Sequence, residues 1–248
     1  MINEDKCVVA KEMSKGIKGF QSISLIDYPE KIVSVVFFSG CNFRCPFCHN
    51  KELVIKDDKT LYLNTREVLS EIKERSKIIG GVCITGGEPT LCPWLVDFIK
   101  HIKEMNLKVK LDTNGTMPDV VKELIDEKLI DYIAMDIKAP KEKYALLCGI
   151  EKPPMDKIEK SIHIIKGSGV DYEFRTTVIP KYHTKEDITK IAEWLDGAKK
   201  FCIQQFRGIN TLDPALEHGK SFSIGDLKEM KKNIKSFFKS CEIKGIDF

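Results

Sequence analysis

At 248 residues the chain is long enough for one large domain or two small ones, and its 40 basic and 37 acidic side chains are interspersed, which excludes a broad nucleic-acid surface. No apolar run reaches the roughly 18 residues of a membrane span, and residues 1–11 lack the apolar centre of a signal peptide. Nine cysteines without a framework spacing suit a reducing compartment, so the expectation is a cytoplasmic protein with neither a nucleic acid nor a membrane as partner.

Residues 1–31 read as an N-terminal extension packing on a core domain at 32–248, which closes with a C-terminal helix. In chain order, apolar runs at 32–38, 82–85, 108–111, 132–137, 172–179 and 201–206 predict six strands. Amphipathic patterns at 65–79, 94–105, 119–128, 155–166 and 185–195 predict helices between them. Asn64 with Glu67 resembles a capping pair for the first helix, and Asn106 and Gly167 are helix stops. The lysine-rich stretch 228–239 reads as the wet face of the closing helix. Strand–helix alternation with short connections means parallel βα units. Six such units without a G-x-G-x-x-G motif predict an α/β fold of the open, partial TIM-barrel kind, (β/α)6, in place of a Rossmann sheet.

The densest chemistry is the loop after the first predicted strand, where Cys41, Cys45 and Cys48 are spaced C-x3-C-x2-C. Cubane clusters with electron-transfer duties usually take four thiolates. Three leave one iron open to a ligand, as a catalytic zinc keeps one position free. The spacing alone leaves zinc open as well, with Cys45 and Cys48 as a pair and His49 as a further donor. The other six cysteines, Cys7, Cys83, Cys92, Cys148, Cys202 and Cys241, are scattered singly.

In a parallel barrel, chemistry gathers at the C-terminal ends of strands. Gly86-Gly87-Glu88-Pro89 follows the second predicted strand, Asp112-Thr113-Asn114-Gly115 the third, and Asp136-Ile137-Lys138 ends the fourth. Arg175 lies within the fifth, and Gln204, Gln205 and Arg207 end the sixth. Each has an ordinary explanation alone: a plain turn, a turn with a side-chain cap, a surface ion pair on one strand face. Their convergence on one rim argues for a site.

The cysteine loop, with Phe47 just before its last cysteine, together with the Gly-Gly-Glu-Pro turn, resembles the radical S-adenosylmethionine (SAM) superfamily. Four further segments narrow the resemblance to the glycyl-radical-enzyme activating proteins: Gly-Phe-Gln-Ser-Ile-Ser-Leu-Ile-Asp-Tyr-Pro at 19–29, Cys-Pro-Phe-Cys-His-Asn at 45–50, Leu-Asp-Thr-Asn-Gly at 111–115 and Ala-Met-Asp-Ile-Lys-Ala-Pro at 134–140. Within these, the chain is most similar to the activating proteins of anaerobic ribonucleoside-triphosphate reductase, relatives of pyruvate formate-lyase activating enzyme. The likeness runs from about residue 16 to 207.

The resemblance implies that Cys41, Cys45 and Cys48 hold one [4Fe–4S] cluster, whose fourth iron is chelated by the amino and carboxylate groups of SAM. It places Phe47 and the backbone at Cys48 and His49 against the adenine, and Gly87, in the turn with Gly86 and Glu88, on the methionine amino group. Asp112 and the Asp136-Ile137-Lys138 stretch surround the methionine carboxylate and ribose, the two aspartates with a monovalent cation in relatives, and Arg175 adds positive charge. It also implies an anaerobic oxidoreductase that cleaves SAM reductively with flavodoxin or ferredoxin as electron donor and installs a glycyl radical on a partner. Relatives acting on pyruvate formate-lyase carry a histidine after the sixth strand, where this chain has Gln204-Gln205-Phe206-Arg207. The expected partner is therefore anaerobic ribonucleotide reductase, with Gln205 or Arg207 facing the site. Pyruvate formate-lyase, another glycyl-radical enzyme, or a small molecule or peptide are the alternatives. The 36 residues between Cys48 and Thr85 carry the lone Cys83 and no second cysteine cluster, which favours a single centre.

Overall fold

The computed structural model of the protein describes residues 16–55 and 61–246. Residues 1–15 of the expected extension, with Cys7, lie outside the described residues. Among the described residues eight strands, β1 to β8, lie in one α/β sheet in chain order, and the first and the last are not neighbours. Among the described residues no helix is long and apolar enough to cross a membrane. The chain forms two compact units, one drawing on the stretches up to Asn42, Glu52–Thr113 and Asp119–Tyr132, the other on Phe43–Lys51, Asn114–Pro118 and the chain from Ile133.

In the first unit, β1 (Ile17–Ser24) runs antiparallel to β2 (Val33–Phe38). β2 is β-branched and aromatic and buried almost throughout, as a strand covered on both faces must be. After the single turn α1 (Lys51–Val54) comes α2 (Thr65–Arg75), then β3 (Gly81–Gly86) parallel to β2. Asn64 does cap α2, accepting a 2.9 Å bond from the Arg66 N–H, so Arg66 takes the place expected of Glu67. α3 (Leu95–Glu104) buries Leu95, Phe98, Ile99 and Ile102, one helical stripe, and β4 (Lys108–Thr113) lies parallel to β3. Phe38, Trp94 and Phe98 form the aromatic core, with centroids 5.5–6.0 Å apart. Asn106, at φ 58°, ends α3 in the left-handed region as expected. α4 (Pro118–Asp126) follows, burying Val121 and Leu124.

The second unit takes β5 (Tyr132–Asp136), α5 (Tyr144–Cys148), α6 (Met155–Gly167), β6 (Asp171–Val178), α7 (Lys185–Trp194), β7 (Lys200–Gln205), α8 (Ile224–Ile234) and β8 (Ser240–Lys244). β6, β7 and β8 pair in parallel. Gly167 is the last residue of α6, and the left-handed stop is Gly169 at φ 75°. The closing helix α8 ends at Ile234, and residues expected on its wet face instead lead into β8. Fully buried Glu173 on β6 is met by Lys244 of β8 at 3.0 and 3.1 Å and by Lys200 of β7 at 3.8 Å.

Candidate functional site

The cysteine loop leaves β2 at Phe38. On the first unit's side, Gly40 (φ 89°) donates to the Leu53 carbonyl at 2.6 Å and accepts from the Glu88 N–H at 2.8 Å. A Cβ on Gly87 would collide with the Gly40 carbonyl oxygen, so the glycine turn after β3 and the start of the loop lie backbone to backbone. Cys41 follows, outside any disulfide and of intermediate exposure.

On the second unit's side the same loop is anchored by Phe43, buried edge-on against Tyr144 of α5 with centroids 6.4 Å apart. The Arg44 N–H donates to the Cys148 carbonyl at 2.8 Å, and a Cβ on Gly149 would strike the Arg44 carbonyl oxygen. The Cys48 N–H donates to the Cys45 carbonyl at 3.0 Å, a tight turn around Pro46 and Phe47. Cys45 and Phe47 are buried and Cys48 is half-buried; burial pushes the Cys48 thiol above its ordinary pKa. The segment after β7 straps this loop. His49 Nε2 donates to the Arg207 carbonyl at 2.7 Å, Asn210 Nδ2 donates to the His49 carbonyl at 3.1 Å, and the Asp213 N–H donates to the Pro46 carbonyl at 2.8 Å.

Gly149 also sits at φ 66°. Alanine there meets two penalties, left-handed strain and overpacking against Arg44. Gly149→Ala should therefore lower unfolding free energy by about 2–4 kcal/mol in urea titration. Gly197 has a similar φ of 77° but open space around it, so Gly197→Ala should show the strain alone, about 1–2 kcal/mol.

Beyond β3, the Glu88 carboxylate is buried inward, accepting from the Thr113 hydroxyl at 2.7 Å, the Thr90 N–H at 3.2 Å and the Thr90 hydroxyl. Glu88 thus braces the glycine turn against the end of β4. Asp112 on β4 pairs with Lys110, whose buried ammonium also lies 3.7 Å from the Cys83 sulfur. Asn114 caps its own turn, accepting from the Thr116 N–H and hydroxyl at 3.0 and 2.7 Å.

Asp136 ends β5, and its two oxygens are divided between cations. Arg175 Nε on β6 donates to Oδ1 at 2.8 Å and Lys138 Nζ to Oδ2 at 3.0 Å. Burial opposes the Asp136 carboxylate, but Arg175 and Lys138 outweigh it and hold its pKa at about 2. Burial likewise opposes the Lys138 cation, and Asp136 outweighs it, leaving that pKa above the ordinary lysine value. One carboxylate thus holds two cationic side chains together in a half-buried group, donors of the kind that receive an incoming carboxylate. Ile137 is buried and serves through its backbone, its N–H donating to the Arg175 carbonyl at 2.8 Å and its carbonyl accepting from Thr176 Oγ1 at 2.8 Å.

The pair at the end of β7 differs from expectation. Arg175 is in register with Cys202, so Gln204, two residues on, shares their face and Gln205 points to the other. Gln205 is occupied there, its Nε2 donating to the Phe222 carbonyl at 2.6 Å. Arg207 is exposed past the strand end and offers its carbonyl to His49. Counting the alternation forward from Arg175 and Cys202 would have found Gln204. Phe43, Lys110 and Gly149 carried no comparable sequence signal.

Among the described residues no three His, Cys, Asp or Glu side chains converge as ligands of a single ion would. The ligands of a cubane each take a different iron and need no such convergence.

Comparison with known proteins is consistent with this arrangement. Residues 35–195 match the model of the Radical SAM superfamily. A Methanocaldococcus jannaschii protein named as a glycyl-radical enzyme activating enzyme is 34% identical over 235 residues, covering 93% of this chain and 96% of that one. The pyruvate formate-lyase-activating enzyme of Clostridium pasteurianum is 32% identical, covering 71% and 74%. Among solved structures, Streptococcus suis SuiB bound to the precursor peptide SuiA shares the fold with a TM-score of 0.68 at 14% identity. That match covers 85% of this chain, which spans about half the length of SuiB, 48%.

Proposed function

The chain belongs to the radical SAM superfamily and, within it, to the glycyl-radical-enzyme activating enzymes, and from that premise we propose that it installs a glycyl radical on an anaerobic ribonucleoside-triphosphate reductase. Family membership implies a [4Fe–4S] cluster and SAM. The residues fit both groups: three cysteines outside any disulfide lie on one loop, and the His49 Nε2 that zinc would recruit is already donating to Arg207. Held by Cys41, Cys45 and Cys48, the cluster would supply the one electron for reductive cleavage of the C5′–S bond of SAM, and so the oxidising power for removing a hydrogen atom from a partner glycine.

The protein's part is binding and orientation. Cys41, Cys45 and Cys48 are the proposed ligands, leaving one iron for the amino and carboxylate groups of SAM. The Gly87 N–H is committed to the Phe38 carbonyl at 2.8 Å, so the Gly87 carbonyl is the group suited to accept from the methionine ammonium. Lys138 and Arg175, held side by side on Asp136, are the cationic donors that receive the carboxylate. Asp112 and Asp136 supply carboxylates for the ribose hydroxyls or a monovalent cation, and Phe47 with the backbone at Cys48 and His49 takes the adenine. A flavodoxin or ferredoxin supplies the electron.

The observation that carries the choice of partner is the ending of β7, Gln204-Gln205-Phe206-Arg207, in place of the histidine that pyruvate formate-lyase activases resemble one another in having. The second reading, pyruvate formate-lyase, is supported by the similarity to the Clostridium pasteurianum enzyme. One assay separates them. Anaerobic incubation of the reduced, reconstituted protein with SAM and each candidate partner should give the glycyl-radical doublet by electron paramagnetic resonance on the reductase and little on the lyase, with methionine and 5′-deoxyadenosine released. A radical on the lyase alone reverses the choice. SAM consumption coupled to a small molecule or peptide, with no radical on either protein, overturns the activase reading and leaves the superfamily in place.

A further inference from the structure

His183 lies outside every motif considered so far, in the turn between β6 and α7, and it is 2% exposed. Both of its ring nitrogens are used. Nδ1 accepts from the Ile179 N–H at 3.2 Å, which fixes the tautomer and makes Nε2 the donor. Nε2 then meets the backbone carbonyl of Lys138 at 3.0 Å. Burial pushes the imidazole below its ordinary pKa and so favours this neutral form. The turn itself is pinned from its far side. Lys143 Nζ donates to Asp187 at 2.6 Å and to the Tyr182 carbonyl at 3.4 Å, and Thr184 and Asp187 form a capping box at the start of α7.

Past Asp136 the β5 chain leaves the strand, and the next residue, Ile137, is held at both its N–H and its carbonyl by β6. For Lys138 the corresponding hold on the carbonyl comes from His183, 45 residues away. A lysine has four rotatable side-chain bonds, so the place of its ammonium depends on how firmly its backbone is fixed. We infer that His183 is a positioning residue: through the Lys138 carbonyl it sets the backbone from which the Lys138 ammonium reaches Asp136 and the SAM carboxylate. This rests on the reading of Lys138 as a SAM contact, and the experiment keeps the two apart.

Two substitutions divide the imidazole's duties. His183→Gln keeps a donor at the Nε2 position for the Lys138 carbonyl. His183→Asn keeps an acceptor for the Ile179 N–H but cannot reach Lys138. Equilibrium dialysis against SAM, with reconstituted oxidised protein in which no turnover occurs, compares both with wild type and with Lys138→Ala. The expected result is a rise in Kd of about tenfold for His183→Asn and less than about threefold for His183→Gln, with equal iron content and melting temperature. In turnover the Asn variant should raise KM for SAM while kcat holds. If His183→Asn binds SAM as wild type does while Lys138→Ala does not, the positioning role is wrong and the SAM reading stands. If Lys138→Ala also binds normally, the SAM reading falls and takes this inference with it. If the Gln variant is as weak as the Asn variant, the link through the carbonyl is refuted. Should the Asn variant fail to fold, a tenfold weaker Gln variant is by itself sufficient to overturn the inference.

Discussion

Alanine at Cys41, Cys45 or Cys48 should each remove the iron–sulfur charge-transfer absorbance of the reconstituted protein and abolish SAM cleavage. A cubane held by three thiolates has none to spare, and in a loop anchored by Phe43, Gly149 and the 207–213 strap no neighbouring cysteine can move in as a substitute. Cys83→Ala and Cys241→Ala are the matched controls. Cys83 is fully buried beside Lys110, and Cys241 lies on β8, where burial pushes its thiol up to about 11. Each should cost about 1–2 kcal/mol of packing and leave absorbance and cleavage intact. Anaerobic reconstitution followed by iron and sulfide analysis decides the matter. About four of each per chain in the controls and neither in the loop variants is the expected outcome; equal loss in Cys83→Ala and Cys45→Ala would reassign the ligands.

Lys138→Ala and Asp136→Ala should both lose SAM binding by tenfold or more while retaining the cluster, but for opposite electrostatic reasons. Removing Lys138 takes away one of the two cations that hold Asp136 and a donor for the carboxylate of SAM, leaving Asp136 with Arg175. Removing Asp136 takes away the carboxylate that places both cations, strands the Lys138 ammonium without its ion-pair partner, and should move it out of position. The second change is the more damaging to stability, because it strands half-buried charge. The sign with pH follows from the direction of the shift. A carboxyl lowered from 3.8 to about 2 contributes stability that is complete above about pH 4 and is lost as pH falls through about 2. Urea midpoints for wild type and Asp136→Ala should therefore converge on acidification below about pH 4 and stay apart at neutral pH. Unchanged SAM affinity in both variants would reduce the triad to a structural ion pair.

The parts of the fold legible in the sequence were those whose burial is two-sided. β2 to β7 read as apolar runs because both faces are covered, and their boundaries fell within one or two residues of expectation. β1 carries no apolar run because, as an antiparallel partner at the sheet edge, it alternates covered and exposed residues from Phe20 to Ser24, with Gln21 and Ile23 exposed. β8 escaped because its short run carries Glu242 and Lys244, whose charges meet buried or half-buried partners that only the tertiary structure supplies. The strand-end motifs were legible because spacing and position agree. The brace roles of Glu88 and Ile137 were not, since a residue within a motif gives no sign of whether it faces the ligand or the sheet. Gln204 and Gln205 illustrate the limit: identical neighbours differ only in the face the pleat assigns them.

The pairing of Glu173 with Lys244 has a consequence in time. The two are 71 residues apart, so at about 5–20 residues per second the carboxylate waits roughly 4–14 seconds on the ribosome before its principal counter-ion is made. Lys200 arrives sooner but stands off at 3.8 Å. Burying a carboxylate with so distant a partner costs several kcal/mol, so β6 and β7 are expected to close over Glu173 only once β8 is delivered. Cys45 and Cys48 are translated long before that moment, yet they belong to the same compact unit as Glu173 and Lys244. The cysteine loop is thus made early, and the expected time at which its unit closes is set by a lysine near the far end of the sheet.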